Sequence, residues 1–159
     1  YIYTKYQSGP YNHDRTENIS DHIAGMDDYY NHSIYTGWQH WGQVIGNPLY
    51  RSPIYNTDNS IDVRNNRFYA LHLGVEGSPT ERLDYRVLTT YQKGWGTYNN
   101  PFTKAYKNLS FLVEAKYKFN HNWTVRGGYA MDFGSEKMYG HNAGFQLTVT
   151  KSGLLTKKK

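Results

Sequence analysis

From residue 69 onward, apolar and polar side chains alternate in five successive runs, 69–76, 83–92, 109–119, 123–133 and 142–150. The odd positions read Tyr69, Leu71, Leu73, Val75; Leu83, Tyr85, Val87, Thr89, Tyr91; Leu109, Phe111, Val113, Ala115, Tyr117, Phe119; Trp123, Val125, Gly127, Tyr129, Met131, Phe133; and Ala143, Phe145, Leu147, Val149. None is charged. The even positions include Glu76, Asp84, Arg86, Glu114, Lys116, Lys118, Arg126 and Asp132. Successive side chains of a strand point to opposite faces. The pattern therefore predicts strands with one uncharged and one charged face. The shared odd numbering is an accident of connector length; the segregation of charge is not.

Upstream the alternation is weaker. Residues 1–7 read as a strand, 8–31 as a long polar loop, and 34–45 as a strand dense in glycine and aromatics. Residues 46–60 carry Pro48, Pro53 and several Asn, which signal turns. The total is about seven strands.

An uncharged strand face can be the core of a soluble β-sandwich binding module or the lipid side of a membrane barrel. Three features favour the barrel. Tyr69, Tyr91, Tyr117, Phe119, Trp123 and Phe133 mark strand ends on the uncharged face, where a membrane interface selects amphipathic rings. Connectors 77–82 and 120–122 are short while 93–108 and 134–141 are longer, the contrast expected between periplasmic turns and external loops. The strands also approach the length of a tilted crossing, about 9–11 residues.

Composition agrees. Aromatics make up 17% of the 159 residues and Tyr alone supplies 17, more than a disordered chain carries. Mean hydropathy is only −0.83, and no stretch approaches the roughly 20 apolar residues of a transmembrane helix. A barrel tolerates that polarity because only every second residue meets lipid. The absence of cysteine excludes a disulfide scaffold or thiolate metal site. The net charge of +5 is spread along the chain apart from the run 157–159, so no nucleic-acid partner is expected.

The fold expected is thus all-β: an antiparallel transmembrane β-barrel in the bacterial outer membrane, in contact with its lipid. Single-chain barrels start at about eight strands, and a sheet edge cannot stay open in hydrocarbon. Residues 1–159 then form the C-terminal portion of one larger barrel, with 151–159 a basic periplasmic tail. Missing N-terminal strands of the same protein, or another subunit, would complete it.

The segment Tyr35-Thr-Gly-Trp-Gln-His-Trp-Gly42, followed by Ile45-Gly-Asn-Pro-Leu49 and Pro53-Ile-Tyr55, resembles the Wzi-type capsule assembly family of outer-membrane proteins in its Bacteroidetes form. Asn66-Arg-Phe-Tyr-Ala-Leu-His-Leu-Gly74 and Gly94-Trp-Gly-Thr-Tyr98 are similar to that family's C-terminal strands and loop. The resemblance extends over most of residues 28–150. It implies a large monomeric barrel with an occluded lumen and a role in assembly or lectin-like surface attachment of capsular polysaccharide. The alternative function is a porin or transport channel. The chain departs from the family in length and in its ending, where Phe145 is followed by Gln-Leu-Thr-Val-Thr and a Lys-rich tail instead of a terminal aromatic.

Sugar sites combine aromatic faces with amides and carboxylates. Trp38, His40 and Trp41 have those types, as do Trp95, Tyr98, Asn99 and Asn100; interface anchoring or lumen packing is the competing role for the aromatics. Asp84, Arg86, Glu114, Lys116, Arg126 and Asp132 form a candidate lumen network whose mixed signs favour a packed interior over a charge-selective waterway. An enzyme is not expected: no Gly-x-Ser-x-Gly elbow is present. His13 beside Asp14 and Asp21 beside His22 lack metal-site spacing, and no cofactor is implied.

One mutant pair tests the two faces. A lipid-facing Arg near the midplane costs about 2–4 kcal/mol. Val113→Arg should therefore impair folding into lipid vesicles far more than Glu114→Arg, provided Glu114 has no tight cationic partner.

Overall fold

The computed structural model describes residues 1–4, 30–31, 37–97, 100–120 and 122–153. The fold is all-β. Five long strands, β4 (Phe68–Thr80), β5 (Leu83–Gly96), β6 (Pro101–Lys118), β7 (Trp123–Gly134) and β8 (His141–Lys151), form an antiparallel meander. The short strand β1 (Ile2–Tyr3) pairs with β4 at the opposite edge from β8. A two-residue pair, β2 (Gln39–His40) and β3 (Gln43–Val44), makes a separate hairpin, followed by a 3-10 turn at Pro53–Tyr55. Among the described residues the large sheet is open, with β1 and β8 as its edges.

The register keeps odd residues beside odd residues. Val75 faces Val87, Val87 faces Val113, Val113 faces Tyr129, and Tyr129 faces Phe145. Register shifts occur only near strand ends, between Gly77 and Thr80 and between Gly94 and Gly96. The uncharged residues therefore form one continuous face across five strands. Charges on this face stand at its ends: Lys93 opposite Lys107 at one, and Lys151 opposite Trp123 at the other. Leu73, Val75, Val113, Phe145, Leu147 and Val149 are all more than half exposed.

The buried residues lie elsewhere. Phe68, Ala70, Gln92 and Asn108 belong to the even face near the start of β4, and there residues 30–31 and 37–67 fold over the sheet. Gln92 Nε2 donates to the Leu49 carbonyl (2.8 Å), and the Tyr50 ring meets Phe68 edge-on at 5.2 Å. Few apolar residues are available, so amides tie this segment together. Asn31 Nδ2 donates to the Val63 carbonyl and its Oδ1 accepts from the Val63 N–H. Asn56 Nδ2 donates to the carbonyls of Ser60 and Asp62 while its Oδ1 accepts from Arg51. Each amide replaces a backbone partner that irregular chain lacks.

Several expectations change. The predicted loop 93–108 is mostly strand, leaving only residues 97–100 as the connector. Its Gly, Asn and Pro residues suggested turns, but Gly94 is required by packing and the hairpin closes around Gly96 opposite Pro101. The connector 77–82 shrinks to residues 81–82. The single strand expected over 34–45 is, in its described part, a hairpin: Trp41 and Gly42 have φ of 51° and 72°, the geometry of a two-residue type I′ turn. Residues 5–7 of the first expected strand, most of the loop 8–31 with His13, Asp14, Asp21 and His22, and the run 157–159 lie outside the described residues.

Gly94 shows how tightly the amide segment meets the sheet. A Cβ there would stand 2.5 Å from Asn65 Oδ1, which accepts the Gly96 N–H. Gly94→Ala should destabilise the protein by about 1–3 kcal/mol. Urea unfolding of wild type and variant measures it; an unchanged midpoint would mean that Asn65 yields without loss.

Candidate functional site

The even face divides into zones along the strands. At the end covered by residues 37–67 it carries Gln92 and Asn108, then His72, Thr90, Ser110, Asp132 and Asn142 in successive register. His72 Nδ1 lies 2.6 Å from Thr90 Oγ1, and Ser110 Oγ and Asn108 Nδ2 both donate to Asp132 Oδ1. Next comes an uncharged row, Gly74, Leu88, Leu112, Ala130 and Gly144.

Beyond it lie the charges. Glu76, Arg86 and Glu114 are register neighbours, as are Asp84, Lys116 and Arg126. Glu114 lies 3.4 Å from Arg86 and 3.8 Å from Arg126, while Asp84 lies 3.3 Å from Lys116 and 3.6 Å from Lys118 and accepts from Ser78 Oγ at 2.8 Å. Five of the six residues proposed as a lumen network thus meet. Asp132 does not join them; it lies across the uncharged row and bonds to Ser110 and Asn108. All these ion pairs are partly exposed, so each contributes on the order of 0–1 kcal/mol. Glu114 has two cationic neighbours, which removes the condition under which Glu114→Arg would be mild.

The aromatic candidates separate into two groups. Trp38, His40 and Trp41 belong to the β2–β3 hairpin, with Trp41 at its tip and 85% exposed. The His40 ring meets Trp41 edge-on at 6.1 Å. A Trp at positive φ is unusual; Ile54 N–H donating to the Gly42 carbonyl and Ser52 Oγ accepting from Val44 N–H hold the turn. Trp95 lies within β5 on the odd face, with Lys93 Nζ 5.5 Å from its ring centre. Asn100 is exposed and closes the connector by accepting from Thr97 N–H and donating to Thr97 Oγ1. Tyr98 and Asn99 lie outside the described residues.

Sequence reasoning passed over the Asn residues of 31–65 and Tyr139. The signal for the former was present, since a loop so poor in apolar residues and so rich in amides must satisfy its backbone with side chains. Tyr139, in the connector between β7 and β8, donates its hydroxyl to the carbonyls of Leu49 (3.1 Å) and Pro48 (3.3 Å). Burial pushes its phenol well above the ordinary range, with the Asp132 carboxylate adding to the shift. Among the described residues no group of three or more His, Asp or Glu could hold a metal ion.

No protein-family model matches the chain, and no curated protein or solved structure matches it.

Removing the Tyr139 hydroxyl tests its role. Tyr139→Phe should cost about 1 kcal/mol at neutral pH. The folded phenol titrates above the unfolded one, near pH 10. Its contribution is therefore complete below about pH 10 and is lost as pH rises toward the folded value. The stability gap between wild type and Tyr139→Phe should narrow above about pH 10; a constant gap would show that the phenol is not held protonated.

Proposed function

We propose that this chain forms part of the wall of a bacterial outer-membrane β-barrel, odd face in lipid and even face toward an occluded interior, and that the protein serves the assembly or surface attachment of capsular polysaccharide. The observation that carries the barrel is the contrast between the faces. The chain folds residues 37–67 over the polar even face and leaves the apolar odd face uncovered among the described residues. A soluble sandwich would do the reverse.

The dimensions fit. From Leu109 to Phe119, just past the end of β6, the uncharged odd positions cover about 34 Å at ~3.4 Å per residue, or about 26 Å of height at a tilt near 40°, against a band of ~25 Å in outer-membrane barrels. Rings gather at both ends. Tyr1 meets Tyr69 at 5.3 Å and Tyr69 meets Tyr91 at 6.2 Å; at the other end Tyr117 meets Phe119 at 5.0 Å and Lys151 lies over Trp123 at 5.4 Å. Trp95 extends the first group and acts as an interface anchor in this reading.

Orientation follows from the connectors. The long connection 4–67 leaves the sheet at the same end as 97–100 and 135–140, while 81–82 and 119–122 lie at the other. Long loops are external, so the end bearing Trp38, His40 and Trp41 faces the medium and the end of β8 at Lys151 faces the periplasm. The capsule role rests on the resemblance of the Tyr35 to Gly42 motif and its neighbours, and on these exposed rings standing where polymer would attach.

The test has two arms. Leu147→Arg should lower folding stability in lipid vesicles by about 2–4 kcal/mol, and Gln146→Arg, one position away on the even face, by much less; equal effects would sink the barrel. In cells, Trp38→Ala with Trp41→Ala should reduce retained capsule at equal amounts of folded protein. Unchanged retention, with solute flux through vesicles bearing the wild type, would favour a channel instead.

A further inference from the structure

A hollow of ≈ 650 Å³ opens between the amide-tied segment and the ends of β7 and β8. That lies within the ~300–1,000 Å³ usual for small-ligand sites. None of the described aromatic or amide candidates, Trp38, His40, Trp41, Trp95 and Asn100, is in its lining. Its walls include Gln43, Ser52, Tyr55, Asp132, Tyr139 and Asn142.

The chemistry of this lining is specific. Tyr55 is 61% exposed, and Arg51 holds its backbone by donating to the Tyr55 carbonyl while the guanidinium lies 6.0 Å from the ring centre. Opposite it, Asp132 uses Oδ1 for Ser110 and Asn108, and Oδ2 has no hydrogen-bond partner among the described residues. Asn142 donates Nδ2 to the Tyr139 carbonyl and keeps Oδ1 as an acceptor. Ser52 Oγ accepts from Val44 N–H and retains its proton to donate. Gln43 makes no side-chain hydrogen bond to a described residue. The hollow thus offers one flat ring, one carboxylate oxygen, and amide and hydroxyl groups able both to donate and to accept. A sugar ring presents the matching surface: C–H faces for Tyr55 and vicinal hydroxyls for Asp132, Gln43 and Asn142. Among the described residues the lining contains no Lys or Arg to pair an anion and a single carboxylate, too few charged oxygen donors for a bare divalent cation.

We propose that this hollow is a binding site for one or two neutral hexose units, distinct from the β2–β3 hairpin tip. The proposal deepens the capsule reading and rests on it for the external position of the site, but the binding itself needs neither membrane nor capsule.

The test titrates the intact protein, folded in detergent micelles, with methyl glucoside, methyl galactoside, N-acetylglucosamine and glucuronate, read by saturation-transfer NMR and calorimetry. At least one neutral sugar should saturate with a dissociation constant at or below about 10 mM. Glucuronate should bind more weakly, repelled by Asp132. Tyr55→Ala and the isosteric Asp132→Asn should each weaken binding by about tenfold, while Lys137→Ala, on the exposed connector nearby, leaves it unchanged. Heat-modified gel mobility confirms that each variant is folded. No saturation by any neutral sugar, tighter binding of glucuronate, or undiminished affinity in both Tyr55→Ala and Asp132→Asn would overturn the proposal. Binding as described with normal capsule retention in the Trp38 and Trp41 variants would uphold it and overturn the hairpin's role instead.

Discussion

Everything in this structure depends on an unbroken parity across β4 to β8. In an antiparallel ladder, a slip of one residue would turn every side chain of a strand to the other face. The chain avoids this by confining its irregularities to strand ends, at Gly77–Thr80 and Gly94–Gly96, outside the uncharged band. Within the band, Val75, Val87, Val113, Tyr129 and Phe145 lie side by side without interruption. One misplaced bulge would bring Glu114 or Arg126 into the apolar face and Val113 or Val125 into the polar one.

The same parity explains why the buried part is so polar. With most apolar strand residues on the odd face, the buried apolar side chains among the described residues are Phe68, Ala70, Val63, Met138 and Tyr30. Buried Asn65, Asn66, Gln92 and Asn108 take up the remaining space. Their value lies in direction. An amide can pair with a donor and an acceptor at once, as Asn31 does with both backbone groups of Val63, while Asn65 and Asn108 each use one end, Asn65 Oδ1 accepting from Gly96 N–H and Asn108 Nδ2 donating to Ser110 and Asp132. An irregular segment is thereby held against a sheet that offers little grease. Because such groups are costly when unpaired, the arrangement demands close fit, and glycines at 94 and 134 supply it: Cβ atoms there would meet Asn65 and Asn108.

The sheet was legible because alternation is a direct consequence of strand geometry. The expected strand 123–133 becomes Trp123–Gly134 and 142–150 becomes His141–Lys151. Legibility failed where residues chosen for packing resembled residues chosen for turning. Gly94 makes room for Asn65, and Pro101 starts β6 opposite Gly96, yet in sequence both read as loop. The candidate site was legible only as a set of charges. Which charges meet depends on register, so Asp84, Arg86, Glu114, Lys116 and Arg126 converge while Asp132, of the same parity, bonds to Ser110 beyond the uncharged row. The Tyr55 and Tyr139 wall could not be read at all, since it joins segments more than eighty residues apart.

Parity alone leaves one ambiguity, because a slip of two residues preserves the faces. Between β5 and β6 the charges resolve it. In the observed register Arg86 faces Glu114 and Asp84 faces Lys116. Sliding one way sets Arg86 against Lys116; sliding the other sets Asp84 against Glu114. Like charges directly opposite are destabilising, so both slips are penalised even though each native pair is individually weak. Between β6 and β7 the same logic points the wrong way. Lys116 faces Arg126, and a two-residue slip would bring Arg126 opposite Glu114. Something stronger must hold that register, and both ends of the pair supply it. At one, Asn120 Oδ1 accepts the N–H groups of Asn122 and Trp123, and Phe119 N–H donates to the Trp123 carbonyl, which sets the turn length. At the other, the Asn108 side chain occupies the space that a Cβ at Gly134 would need. The charges of β6 and β7 then settle diagonally, Arg126 reaching Glu114 and Lys116 reaching back to Asp84. The ladder of ion pairs is in this sense a cause of register at one interface and a consequence of it at the next.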